Sequence, residues 1–310
     1  MNEMKFSIVI PAYKALYLSQ AIESCLCQTY HNFELIIVDD ASPEDLNSIV
    51  QNYSDPRMFY YRNEKNCGAE NVVDNWNICL NRCSGDYVIC MGDDDRLVPT
   101  TLEQYSSLIK KYPGVGLLHG WTEIIDEESQ FVELTAPRVE YESVYSMLWN
   151  RWDNRKLQFI GDWCFEIEWL RKQGGFYKIP LAWESDDITA VIGAMKNGVA
   201  NTSEIAFQYR RSQYTITTKK NVQLKMDAKK LASEWYEKFL KTPPRNSLDR
   251  KYWEMLVRMF RSYRRKAYAL TFASDIKGNP LTILKWIKKR RLYGYSFKEI
   301  LFAVYMAVKG

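Results

Sequence analysis

The chain has 310 residues, enough for about two average domains, and its 46% hydrophobic and 26% charged content excludes wholesale disorder, a collagen-like repeat and a multi-span membrane protein. A net charge of +4 hides an uneven distribution: residues 1–218 hold 19 Lys+Arg against 31 Asp+Glu, and residues 219–310 hold 23 against 7. An acidic body with a basic tail points to a polyanionic partner for the tail, nucleic acid or an anionic membrane face.

The first half alternates strand and helix. Phe6–Ile10 is a β-rich run stopped by Pro11. Leu18, Ala21, Ile22, Cys25 and Leu26 recur at helical spacing. Phe33–Val38 predicts a second buried strand ending in Asp39-Asp40, and Pro43–Tyr53 a helix with proline near its first turn. Phe59–Tyr61 is a short strand, Val72–Leu80 a helix, Tyr87–Met91 a strand, Pro99–Lys111 a helix, and Val115–Leu118 opens a fifth strand. Such alternation predicts an α/β, mostly parallel, doubly wound sheet.

The middle is less regular. Asp126–Ser129 predicts a hairpin turn, Gly174-Gly175 a tight loop, Asp187–Lys196 a helix closed by Gly198, and Ile205–Tyr209 a strand. From about Lys219 the pattern is helical. Leu224, Ala228, Leu231 and Trp235 form one stripe, and Trp253, Leu256, Val257, Phe260 and Tyr263 form the next, with Pro243-Pro244 between them. After a break at Asn279-Pro280, Ser296-Phe-Lys-Glu299 fits a capping box opening a last helix.

Seven cysteines, an odd number without C-x-x-C spacing, read as free thiols in a reducing cytosol. The N-terminal apolar run is too short for a signal peptide. Ile300–Val308 is far short of the roughly 20 residues a spanning helix needs.

Ligands of open parallel sheets bind beyond the carboxyl ends of strands. Three polar features fall there: Pro11-Ala12-Tyr13, Asp39-Asp40 and Asp93-Asp94-Asp95. No G-x-x-x-x-G-K-[ST] loop occurs, which excludes a P-loop NTPase, and no G-x-G-x-x-G follows the first strand. Adjacent carboxylates 4–5 Å apart repel by about 3–4 kcal/mol at an effective dielectric near 20. A triple cluster after a buried strand therefore suits a hard divalent cation, for which one or two carboxylates and substrate phosphates are typical ligands. Its ordinary alternative is helix capping before Pro99. Asp39-Asp40 suits a nucleobase and ribose, or an N-cap that Ser42 also competes for. Glu184-Ser185-Asp186-Asp187 suits a general base, or another cap.

Together these motifs resemble the family 2 glycosyltransferases over roughly Phe6–Thr218. Ser7–Tyr13 is similar to that family's opening strand and nucleotide loop. Val38-Asp-Asp-Ala-Ser42 is similar to its second-strand motif, Asn66-Cys-Gly68 to the segment before its metal strand, and Gly85–Asp95 to its D-x-D region. Gly174-Gly-Phe176 with Ser185-Asp186 resembles its acceptor loop and E-D motif, and Tyr209–Ser212 its closing loop. The resemblance implies a GT-A fold in residues 1–218, with a nucleotide-binding half to about 121 and an acceptor half over 122–218. Residues 219–310 form a basic helical extension.

It also implies that Pro11, Ala12, Tyr13, Asp39, Asp40, Asn66, Gly68, Asp93, Asp94, Arg210 and Arg211 bind the nucleotide-sugar. Asp95 and Asp93 are the implied ligands of Mn²⁺ or Mg²⁺. Asp186 is the implied base, with Asp187 as its rival. Gly92 stands where many members have the first Asp of D-x-D-D, Ser185 replaces the usual Glu, and Ser212 stands where some have a metal-binding His. Gln208-Tyr-Arg-Arg211-Ser212 lacks the Trp of processive members, which favours single-sugar transfer.

The implied activity is inverting, metal-assisted transfer from a nucleotide-diphosphate sugar, most often uridine-linked. The acceptor is a glycan or lipid-linked hydroxyl in cell-surface polysaccharide or glycolipid biosynthesis. The implied location is cytoplasmic, peripheral at the inner face of the plasma membrane. A catalytically degenerate scaffold is an alternative. A sugar-1-phosphate nucleotidylyltransferase is disfavoured because Pro11-Ala-Tyr-Lys14 lacks glycine. Lys288-Lys-Arg-Arg291 precedes an apolar face of Phe297, Ile300, Leu301, Val304, Tyr305 and Val308, widened by Phe302 and Met306. That face suits either an anionic membrane or packing on the protein's own body or a second subunit. No nucleic-acid-reading module appears.

Overall fold

The computed structural model describes residues 3–153, 156–212 and 221–309. The expected boundary at 218/219 lies outside the described residues. The chain divides into two compact units. One runs to Lys178 and resumes at Ser185; the other joins Ile179–Glu184 to the C-terminal helices.

In the first unit the strands are β1 (Phe6–Ala12), β2 (Phe33–Asp39), β3 (Met58–Arg62), β4 (Tyr87–Cys90), β5 (Arg96–Leu97), β6 (Leu117–Ile125), β7 (Phe131–Leu134), β8 (Tyr141–Glu142), β9 (Trp163–Glu166) and β10 (Val199–Arg210). The helices are α1 (Leu18–Leu26), α2 (Leu46–Val50), α3 (Val72–Arg82), α4 (Thr101–Lys111), α5 (Val144–Trp152), α6 (Ile167–Lys172) and α7 (Ser185–Ala194). The sheet order is β3-β2-β1-β4-β9-β6-β10-β5, with β7 on β6 and β8 on β10. β3, β2, β1 and β4 are parallel, as is β6 with β10, whereas β9 runs antiparallel between β4 and β6.

The chain leaves β1 in opposite directions, to β2 on one side and β4 on the other. The crevice beyond their carboxyl ends is therefore a topological switch point. Continuous Val/Ile runs build these strands because both faces are covered; every residue of β2 is buried. In α1, Leu18, Ala21, Ile22 and Cys25 face the sheet, as their spacing predicts.

Pro11 does not stop β1. It pairs with Val38 of β2, beyond the β1–β4 ladder, which ends at Val9 and Cys90. Residues two apart point the same way, so proline's missing N–H faces the side where β4 has already ended. The helix expected over Pro43–Tyr53 shrinks to Leu46–Val50, capped by Asp45, whose carboxylate accepts from the Ser48 N–H. The hairpin over Asp126–Ser129 and the glycine loop, with positive φ at Gly174 and Gly175, match their expectations.

The second unit contains α8 (Val222–Phe239), α9 (Ser247–Gly278), α10 (Thr282–Tyr293) and α11 (Phe297–Lys309). Its core gathers Met226, Tyr268, Phe272, Trp286, Tyr295, Ile300 and Ala303. The stripe expected on α8 is out of phase. Met226, Ala228, Ala232 and Tyr236 are buried, while Leu231 is exposed and Leu224 and Trp235 are half-buried. Small alanines allow the close approach of a neighbouring helix, so the partner rather than the largest side chains selects the face. Val257 is likewise exposed on α9. Trp183 and Glu184 join this unit: Lys225 and Lys229 lie over the Trp183 ring, and Lys229 pairs with Glu184 at 3.6 Å.

Candidate active site

At the end of β2, Asp39 is in register with Ala12 on one side and Arg62 on the other. Its buried carboxylate accepts from the Ser42 N–H at 2.7 Å, from the Tyr60 hydroxyl at 2.7 Å and from the Arg62 guanidinium. Burial, followed by that carboxylate, pushes the Tyr60 phenol up to about 12. Asp40 turns the other way and accepts from Asn63 at 2.9 Å and from the Cys67 N–H at 3.0 Å. Asn66 donates to the Asp40 carbonyl at 2.8 Å. Gly68, at φ +77°, supplies the left-handed residue before a short 3₁₀ turn at Ala69–Asn71. Ser42 donates its hydroxyl to the Tyr13 carbonyl at 2.6 Å, and the Asp40 N–H donates to Ala12. Pro11–Tyr13 and Asp39-Asp40 thus form one wall, and neither aspartate caps α2.

The acidic loop after β4 forms the facing wall. Asp93 accepts the N–H groups of Tyr13 and Lys14 on one oxygen, both at 2.7 Å. Asp95 accepts the Arg210 N–H at 2.9 Å. This contact depends on β5, which pairs antiparallel with Phe207 and Gln208 of β10 and draws the loop beside that strand's end. Asp94 Oδ1 and Asp95 Oδ2 converge over Gly92, where a Cβ would lie 2.9 Å from each oxygen. Only a residue without a side chain leaves that cradle open.

Burial is the first cause of raised carboxyls here. It lifts Asp93 to about 6, aided by the Asp94 charge, and raises Asp94 despite Lys14 at 3.9 Å. Asp95 lies well above the usual carboxylate range, through burial and then the Asp94 charge. Among the described residues no three His, Cys, Asp or Glu side chains form a closed metal cluster. The paired oxygens of Asp94 and Asp95 nevertheless fit a hard divalent ion that takes its other ligands from phosphate and water.

Both arginines of the expected diphosphate clamp have protein partners. Arg210 is 1% exposed. Its guanidinium donates to the carbonyls of Asp94 and Asp126, to Ser129 Oγ and to Gln20 Oε1, all at 2.8–2.9 Å, and stacks 4.2 Å from the Tyr17 ring centre. It ties the Asp loop to α1 and the β6–β7 hairpin. Arg211 pairs with Glu133 on β7.

The late acidic pair lies in the first turn of α7, where the helix dipole favours anions. Asp187 is buried and spoken for. Arg151 Nε donates to it at 2.8 Å, Arg151 NH2 at 3.1 Å and Gln158 Nε2 at 2.7 Å. Asp186 is half-buried. Burial, then the Asp187 charge, pushes its carboxyl up to about 7, with Arg151 opposing. The Tyr209 phenol is raised to about 12 by burial and then by the charges of Asp95, Asp94 and, more weakly, Asp186. The two acidic groups are therefore in electrostatic reach of one side chain. That ring stacks on Phe159, with centroids 3.8 Å apart.

Sequence reasoning missed Arg62, Tyr60, Arg151 and Gln158. Arg62 had a signal: it closes the Phe59–Tyr61 run and falls opposite Asp39 once β2 and β3 pair in parallel. Arg151 and Gln158 had none, since only the packed fold brings α5 to α7.

Acids at the switch point of a GT-A sheet, with a second acidic pair in reach, define a nucleotide-sugar transferase class. Residues 7–166 match the sequence model of glycosyl transferase family 2, and the chain belongs to that family. It is 28% identical over 229 residues to the Escherichia coli UDP-Glc:alpha-D-GlcNAc-diphosphoundecaprenol beta-1,3-glucosyltransferase WfgD, covering 73% of this chain and 84% of the relative. It is 29% identical over 137 residues to an uncharacterized glycosyltransferase of Rickettsia typhi, covering 44% of this chain but 42% of that relative's length. Among solved structures, S. aureus TarS 1-349 in complex with UDP-GlcNAc superposes with a TM-score of 0.65 at 16% identity, covering 97% of this chain and 89% of that one. The protein is a glycosyltransferase.

Proposed function

We propose that the protein moves one sugar from a uridine-diphosphate sugar to a hydroxyl of a lipid-linked glycan, with inversion, in cell-surface polysaccharide or glycolipid assembly. The observation that carries this reading is the cradle over Gly92, where oxygens of Asp94 and Asp95 converge while the Arg210 guanidinium is spent on carbonyls, a serine and a glutamine. The WfgD name supports the uridine donor and the lipid diphosphate acceptor.

In this reading residues 1–121 hold the nucleotide and 122–218 the acceptor. The wall of Pro11–Tyr13, Asp39, Asp40, Asn66 and Gly68 receives base and ribose. Asp93 fixes the loop to the Tyr13 and Lys14 backbone, which leaves Asp94 and Asp95 to hold Mn²⁺ or Mg²⁺. The cation, when bound, would supply Lewis-acid stabilisation of charge on the departing diphosphate. Lys14 adds a positive charge beside Asp94. Arg210 holds the Asp95 carboxylate through its backbone N–H and the Asp94 carbonyl through its guanidinium.

Asp186 accepts the proton of the attacking hydroxyl. A carboxyl near 7 is a stronger base than an ordinary one and is still about half ionised at neutral pH. Asp187, held by Arg151 and oriented by Gln158, adds its charge to burial as the second cause of this basicity. A lipid-linked acceptor would bring the protein to the cytoplasmic face of a membrane. The test is transfer from UDP-sugars to a soluble diphospholipid analogue by the wild type and by Asp186→Asn. Turnover by the variant comparable to wild type would refute the base assignment.

A further inference from the structure

α11 has two apolar faces, and the fold uses only one. Ile300 and Ala303 are 2% and 0% exposed and pack with Ala307 into the core of the helical unit. At 100° per residue, Phe297, Leu301, Tyr305 and Val308 fall within about 80° of each other on the opposite side. They are 51%, 68%, 54% and 84% exposed. The single face expected over Phe297–Val308 is therefore split, with its largest members left outside. α10 repeats the arrangement: Trp286 and Tyr293 are buried, while Leu284 and Leu292 point out among Lys288 and Arg291. An outward helix face is ordinarily polar, and this much apolar surface in water marks an interaction site.

The charges choose the partner. Arg290 lies 4.4 Å over the Phe297 ring and Lys309 5.5 Å over the Tyr305 ring, one cation near each end of the stripe. Lys298 is exposed on the adjacent arc. From Leu281 to Lys309 the sole acid in the sequence is Glu299. It is buried and occupied by Arg265 at 3.0 Å and by the Ser296 N–H at 3.1 Å. A second copy would oppose the same cations and offer this face no exposed carboxylate from its own. An anionic bilayer surface answers both features, taking Leu, Phe and Tyr at the headgroup–acyl boundary while Lys and Arg stems reach back to lipid phosphates. No described helix is long and apolar enough to cross a membrane.

We propose that the outer faces of α10 and α11 dock the protein on an anionic lipid bilayer, with Phe297, Leu301, Tyr305 and Val308 inserted at the interface and Lys288, Arg290, Arg291, Lys298 and Lys309 at its phosphates. The proposal specifies the membrane contact of the lipid-linked-acceptor reading, but its evidence lies wholly in the helical unit.

The test is co-sedimentation of the full chain with vesicles of phosphatidylcholine alone and of phosphatidylcholine mixed with phosphatidylglycerol. Binding to the anionic vesicles is expected to exceed binding to the neutral ones by about tenfold or more at low salt and to weaken as salt rises. Leu301→Asp with Tyr305→Asp is expected to lower the bound fraction about tenfold. Transfer to a soluble acceptor should be unchanged, and a circular-dichroism melt checks that the variant folds. Equal binding to both vesicle types, or a double variant that binds like wild type, overturns the proposal. So does a wild type that stays in solution as a dimer which the variant converts to monomer, because the stripe is then covered by a second copy. Vesicle binding by a protein that transfers no sugar would sink the transfer reading and leave this one standing.

Discussion

Asp186-Asp187 and Asp94-Asp95 are both neighbouring aspartates in confined surroundings, but the first pair is gripped by a guanidinium through two hydrogen bonds and the second faces an ammonium at 3.9 Å. Arg151 grips Asp187 through two nitrogens and Gln158 adds a third donor. Asp186 is left accessible and basic beside it. The second pair has Lys14 at 3.9 Å, while the Arg210 guanidinium is spent on carbonyls, a serine and a glutamine. Burying like charges with incomplete pairing is costly, and a bound cation would supply the missing charge. In the proposed reading the first pair moves a proton and the second receives a cation with its diphosphate.

The sharpest way to break this contrast is Asp186→Asn. It is expected to lower kcat about 10³-fold and leave UDP affinity unchanged by calorimetry. Asp95→Asn should cost about 10²-fold in turnover and remove its dependence on added Mn²⁺, measured across a metal titration. Equal losses with cation dependence intact would erase the distinction between the pairs.

Arg210→Met tests the assignment of that arginine to structure. Removing a buried guanidinium with four short hydrogen bonds should destabilise the protein by about 3 kcal/mol, read from urea denaturation. A variant of wild-type stability with weakened diphosphate binding would restore Arg210 to the clamp.

Smaller and more diagnostic is the pH dependence. The wild-type kcat should rise with pH through about 7, as Asp186 ionises. In Asp187→Asn the neighbouring negative charge is gone, so the acidic limb should move below 7, with kcat reduced about tenfold. The same raised carboxyl favours the protonated folded state. Its contribution to stability is full below the ordinary Asp range and is lost as pH climbs through about 7.

Strand ends were readable because Asp39-Asp40 and Asp93–Asp95 follow short apolar runs, and such runs end where polar residues gather. Asp39, Asp40 and Asp93–Asp95 were located by that rule alone. Partners were not readable. Arg210 lies in a motif associated with phosphate, yet its acceptors come from residues 20, 94, 126 and 129, gathered by the pairing of β10 with β5 and β6 and by the packing of α1. Similarly, nothing near Asp187 in sequence announces Arg151 on α5. The tail shows a third limit. Helical period was legible there, but phase was not, since alanines on α8 and α11 went inward while Leu231, Leu301 and Tyr305 stayed out.

Calorimetric titration of UDP into the full chain, once with Mn²⁺ and once with EDTA, bears most directly on the claim that Asp94 and Asp95 wait for a cation carried with a diphosphate. Affinity is expected to be at least about tenfold higher with Mn²⁺, and the difference should vanish in Asp95→Asn. Equal affinity in Mn²⁺ and EDTA for the wild type would contradict the account.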